Sequence, residues 1–147
     1  MRLLITGSRD WDDYDTIVEE ITRVILEWVK DHPEYESGPI NWFTLVHGGC
    51  PRGADFLADR FARDVLKCKI EIYEADWAMH GRSAGIKRNM RMVRSMPDAC
   101  LAFLRDNSRG TLHCRNAAKA AGIPTETIHY DAEKIRRRDE GRANGEK

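Results

Sequence analysis

The sequence is short of net charge, of paired cysteines and of long apolar runs, and each shortage excludes something. Lysine plus arginine and aspartate plus glutamate number 24 each, so the formal net charge is zero. General nucleic-acid binding runs on an excess of cations over phosphates, and a neutral chain is poorly suited to it. No apolar stretch approaches the ~20 residues that a membrane helix needs. The start, MRLLITGSRD, turns polar too soon for a secretory signal. A cytoplasmic protein without membrane contact is the expectation. The four cysteines, Cys50, Cys68, Cys100 and Cys114, form no C-x-x-C pair and no zinc-ligand spacing. They read as free thiols of a reducing compartment, and neither a metal site nor a cofactor is expected. Also missing are the dinucleotide fingerprint G-x-G-x-x-G, the phosphate loop G-x-x-x-x-G-K-[ST] and any internal repeat of solenoid length.

What is present fits one domain with a real core: 147 residues, 41% apolar and 33% charged. The charge is unevenly spread. Residues 1–36 carry ten acids and four bases, whereas residues 80–147 carry eight acids and fifteen bases. An anion would therefore meet the second half of the chain.

Apolar periodicity divides the chain into alternating elements. Strands are predicted at 2–6, 42–47, 69–74, 99–104 and 125–130. Helices are predicted at about 13–32, where Ile17, Ile21, Val24, Ile25 and Trp28 recur at helical spacing, after the glycine loop (face residues Ala54, Leu57, Ala58, Phe61 and Val65), at 86–94 and at 111–121. Strict alternation implies an α/β fold: a parallel sheet of about five strands with helices on both faces. The domain is predicted to end near residue 131. The charged tail, 132–147, reads as a frayed helix or a disordered end.

In such a sheet the loops after the strands gather at the carboxyl edge, where ligands bind. Here those loops are TGSRDW (6–11), HGGCPRGAD (47–55), EADWAMHGRSAG (74–85) and RDNSRGT (105–111), and each holds glycine and arginine. Glycine lets the backbone approach a ligand. The helix start that follows offers free amides and a partial positive charge. Arginine adds a forked donor that matches phosphate. A single Gly-Gly pair after a strand is more often a tight turn; the recurrence points to a phosphate-bearing small molecule.

The candidates are weighed against plainer roles. Gly7, Ser8 and Arg9 follow the first strand and suit base or ribose contact, or a simple turn. Asp55 opens a helix and is as readily a cap as a ligand group. Asp76 and His80 are the candidate acid–base groups, and Trp77 could stack on a base; the alternative is a tryptophan packed over the domain edge. Arg82, Gly85 and Asn89 lie around the start of the basic helix and are candidates, while Arg88 and Arg91 read as a solvated face. Ser108, Arg109, Gly110 and Thr111 make the strongest single phosphate loop. His113 and Cys114 are neighbours on one helix and cannot easily face one metal.

TGSRDW, VHGGCPRGAD, ADWAMHGRSAGIKRN and SRGTLHC followed by AAGIP together resemble the YspA-type (cpYpsA-related) branch of the SLOG superfamily, over roughly residues 1–130. The superfamily also includes the LOG phosphoribohydrolases and the DprA proteins. The resemblance implies a Rossmann-like fold, a nucleotide-derived ligand and pairing into a homodimer; some branches serve bacterial and phage conflict. In LOG enzymes a Gly-Gly loop with a following arginine binds the phosphate. Gly48 and Gly49 match it, with Arg52 and Gly53. Gly110 and Thr111 match the second phosphate loop. The LOG catalytic glutamate has no counterpart, because Cys114 stands there. A thiol is a poor substitute for that carboxylate. Three readings follow: a sensor, sponge or processing enzyme for a nucleotide; a LOG-like N-glycosidic hydrolase of nucleoside monophosphates; and a DprA-like binder of single-stranded DNA.

Overall fold

The computed structural model describes residues 1–145. Five strands form one parallel sheet: β1 (Arg2–Gly7), β2 (Thr44–His47), β3 (Lys69–Ile72), β4 (Ala99–Leu104) and β5 (Thr125–His129). Their spatial order is β3-β2-β1-β4-β5. The chain runs outward from β1 to one edge, then returns to add β4 on the other side. The direction of winding reverses between β1 and β4, and the loops leaving those two strands diverge to opposite faces.

Alternation along β1 explains the two layers. Leu3 and Ile5 face one side, and there they pack with Leu45, Leu101 and Phe103 against α1 (Tyr14–Asp31) and α2 (Ala54–Phe61). Leu4 faces the other side with Val46 and Cys100, against α4 (Ala84–Arg94) and α5 (Arg109–Ala120). Ile17, Ile21, Val24 and Ile25 of α1 are buried, as their spacing predicts. Each such side chain contributes about 1.5–3 kcal/mol on removal from water. The single α/β domain with helices on both faces follows directly from these two apolar stripes.

Two segments depart from the sequence expectation, and the tail takes the helical one of the two forms expected for it. The face predicted to include Val65 ends at Phe61. There the helix widens into a π-turn, Ala62–Leu66, which carries Val65 outward to 61% exposure. The stretch 74–85 is not a plain loop: it folds into α3 (Trp77–His80) and a 3-10 turn, Gly81–Ser83. The tail forms α6 (Ala132–Gly145), which has no buried residue. Ion pairs hold it: Arg138 reaches Asp13 at 2.7 Å and Asp15 at 3.3 Å, Arg142 reaches Asp15 at 2.8 Å, and Lys134 reaches Glu19 at 3.2 Å. No helix among the described residues is long and apolar enough to cross a membrane.

Candidate functional site: a basic cleft at the carboxyl edge

The loops after β1, β2, β3 and β4 enclose a cleft of about 1080 Å³. It lies at the winding reversal, where open α/β sheets carry their ligands.

The wall is built from keyed loops. Ser8 is buried and faces the protein, not the cleft. Its amide donates to Phe103 O at 2.9 Å, its Oγ accepts from Arg105 N at 2.9 Å, and its carbonyl accepts from Trp11 N and Ala54 N. Ser8 therefore pins the β1 loop to both β4 and α2. Gly53 has φ +78°, and a Cβ there would come within 2.3 Å of Ser8 O. A Cβ on Gly7 would lie 2.3 Å from the Cβ of Ala54. Both glycines are required by close backbone approach. Gly7 lines the cleft, whereas Gly53 lies behind it.

The β2 loop contributes Gly48, Gly49, Cys50, Pro51 and Arg52. Beneath it sits Asp55, a buried carboxylate that lines the cleft floor. Its Oδ2 accepts from Gly48 N at 3.2 Å and Cys50 N at 3.5 Å, while Oδ1 is buried without a partner among the described residues. Burial pushes the Asp55 carboxyl up, and His47 and Arg88 only partly counter that. His47, also buried, accepts from Gly49 N at 3.0 Å through Nδ1 and donates from Nε2 to Asp59 Oδ2 at 2.7 Å. Burial acts to raise the Asp59 carboxyl, but hydrogen bonds from Arg63 and His47 outweigh it and hold Asp59 low.

Arg88 corrects the sequence reading. It is not part of a solvated face: its Nη1 donates to Gly48 O at 2.5 Å and its Nε to Asn89 Oδ1 at 2.9 Å. Asn89 is buried and donates from Nδ2 to Gly110 O at 3.3 Å. A hydrogen-bonded chain, Gly48–Arg88–Asn89–Gly110, thus ties the β2 loop to the start of α5 across α4. The charge at position 88 gave no sequence signal of this.

Opposite the β2 loop, α5 begins. Ser108 is its N-cap residue but makes no capping bond; its Oγ pairs with Thr111 Oγ1 at 2.9 Å. The first-turn amides are left to the cleft side. A Cβ on Gly110 would meet no atom within 4 Å, so this turn faces open space. Arg9, Arg52 and Arg82 also line the cleft, and none has a carboxylate partner among the described residues, in contrast to Arg2, Arg23 and Arg138. Trp77 lines the cleft at 52% exposure, alongside Glu74, Gly85 and Ile86.

Several sequence candidates stand apart. Asp76 caps α3, accepting from Met79 N at 3.0 Å, and does not line the cleft. His80 lies 3.1 Å from Lys87 Nζ, outside the cleft. Arg109 is exposed beside the cleft but not in its wall. Cys114 is fully buried, within hydrogen-bonding reach of Thr6, and burial pushes its thiol up to about 11. It packs the core and presents no group to a ligand. Among the described residues no cluster of three histidines, cysteines or carboxylates could hold a metal.

A family model described as "YspA, cpYpsA-related SLOG family" matches residues 1–80, the span that includes the keyed β1 and β2 loops. The "Gene 61 protein" of Mycobacterium phage D29 is 42% identical over 127 residues, covering 84% of this chain and 92% of that protein. The chain belongs to the YspA, cpYpsA-related SLOG family. SLOG membership brings nucleotide-related binding or processing as the coarse function. No solved structure matches the chain significantly. Within this SLOG protein the matched span ends at His80, so Arg88, Asn89 and the α5 turn complete the cleft from outside it.

Proposed function

We propose that the protein binds a nucleotide or nucleotide-derived metabolite in this cleft, as a sensor or sponge, with a phosphate at the first turn of α5 and the base against Trp77. One observation carries the reading: an uncapped helix start, opened by Gly110, faces a cleft that also holds three arginines, Arg9, Arg52 and Arg82, with no protein partner among the described residues. Free amides and the helix dipole favour an anion there. Arginine supplies the paired donors that phosphate accepts. A half-exposed tryptophan provides a sequence-tolerant stacking surface. The cleft holds one exposed aromatic and no extended track of them, which argues against single-stranded DNA.

LOG-type hydrolysis is disfavoured because Cys114 is a core residue, with Asp76 committed as a cap. A second reading, N-glycosidic cleavage of a nucleoside monophosphate, draws support from Asp55 alone. It is a carboxyl in the cleft floor, shifted upward by burial, as acid–base groups often are.

The test is filtration of the purified protein with nucleoside monophosphates, ADP-ribose and cyclic nucleotides, read by mass spectrometry of bound and free fractions. Intact retention of one compound is the expected result. Appearance of free base or ribose phosphate would replace the sensor by the hydrolase. Passage of every compound, unchanged and unbound, removes the nucleotide reading.

A further inference from the structure

The amides of the glycine loop face away from any ligand. Gly48 N and Cys50 N donate to Asp55 Oδ2, and Gly49 N donates to His47 Nδ1. No peptide bond in the described chain is cis. In a trans, planar peptide the carbonyl points opposite to the amide of the same unit. Turning Gly49 N–H and Cys50 N–H inward therefore turns Gly48 O and Gly49 O outward. Gly48 O is occupied by Arg88. Gly49 O accepts no hydrogen bond among the described residues, and Gly49 is an exposed cleft residue. Beside it stands Glu74, whose Cγ lies 3.6 Å from where a Gly49 Cβ would be. Glu74 also lines the cleft, and its carboxylate has no ion-pair or hydrogen-bond partner among the described residues.

One side of the cleft thus offers acceptors, and the α5 side offers donors. A phosphate set against Gly49 O and Glu74 would meet a carbonyl dipole and a carboxylate, both repulsive; the cations of this wall are Arg52 and Arg88, the latter bound to Gly48 O. We infer that the glycine loop receives the uncharged, donor-bearing sugar diol of the ligand, through Gly49 O and the Glu74 carboxylate, with Asp55 and His47 as the positioning residues that hold the loop in this sense. The inference rests on the nucleotide reading above and adds the direction in which the ligand lies. His47 suits the role because Asp59, itself paired with Arg63, accepts a hydrogen bond from Nε2–H, which leaves Nδ1 as the acceptor.

Amide resonances of the full chain test both parts. Inorganic phosphate is expected to move Gly110 and Thr111 and to leave Gly48, Gly49 and Cys50 in place. Ribose 5-phosphate is expected to move Cys50 as well, since its amide shares a peptide unit with Gly49 O. If inorganic phosphate moves the loop amides most, or if ribose 5-phosphate leaves Cys50 unmoved, the loop assignment is overturned. If α5 stays silent while ribose 5-phosphate still moves Cys50, the phosphate placement fails and the loop assignment stands. For the positioning roles, Asp55→Ala should speed exchange at Gly48 and Cys50, and His47→Ala at Gly49, by about tenfold, the equivalent of one lost hydrogen bond. Asp55→Asn and His47→Asn, which keep an acceptor nearby, should restore protection. The core amides of Leu4 and Leu101 should keep their rates in all four variants. Unchanged loop exchange in the alanine variants overturns the positioning roles.

Discussion

Asp55 combines a buried, half-satisfied carboxylate with a floor position in the cleft. Its carboxyl is shifted upward in the fold, first by burial. The sign of the linkage follows: a raised folded value favours the native state at pH below the ordinary aspartate range, and that advantage is lost as pH rises through the folded value. Asp55→Asn removes the titration while keeping an acceptor for Gly48 N. Its melting temperature relative to wild type should therefore improve as pH rises above the ordinary aspartate range and level off once the pH passes the folded value. A difference independent of pH would mean that Asp55 is not shifted upward. At this scale the sequence was a partial guide. It marked Asp55 but could not separate a cap from a cleft group, because that distinction depends on where two loop amides point. It named Ser8 on the strength of its loop, whereas the side chain turns inward to pin β4. It set Arg88 aside because a guanidinium folded back onto a carbonyl 40 residues away leaves no periodic trace.

Among the elements, α5 owes its exposed start to the lack of a capping side chain and to Gly110. Valine at 110 would meet no protein atom within 4 Å at its Cβ, and it is a better helix former than glycine by a few tenths of a kcal/mol. Gly110→Val should leave the unfolding free energy within about 0.5 kcal/mol of wild type, yet reduce retention of the nucleotide found by filtration at least tenfold. Equal retention would make this turn structural only. The elements themselves were largely legible: five parallel strands and the helices α1, α2, α4 and α5 follow from apolar period. The exceptions have local causes. The π-turn at Ala62–Leu66 changes the helical period midway, and α3 is a single turn set by the Asp76 cap, too short to show a period at all.

For the molecule as a whole, α6 closes a circuit between the end of the chain and its beginning. Asp13 caps α1, donates nothing and accepts from Thr16 and Arg138. Burial acts to raise its carboxyl, but those hydrogen bonds outweigh burial and hold it below the ordinary aspartate range. The stability this confers is present above the unfolded aspartate value and is lost as pH falls through the folded one. Arg138→Ala should cost about 1–3 kcal/mol at neutral pH and shift acid unfolding to higher pH; unchanged acid and thermal midpoints would show that α6 is not held by this pair. The tail's charge run announced its polarity, but its docking depends on acids more than a hundred residues earlier.

The interlock of Gly7 with Ala54, and of Gly53 with Ser8, bears on how this cleft can diversify. Neither loop can lengthen or gain a side chain at those points without displacing the other. The 76–86 stretch is different: Trp77, Met79 and Ile86 are open to solvent, and nothing within 4 Å constrains Gly81. The β1 and β2 loops are mutually locked, whereas the wall formed by the 76–86 stretch is free. Changes of ligand among proteins built on this plan should therefore accumulate in the free wall, with the locked pair inherited as a unit.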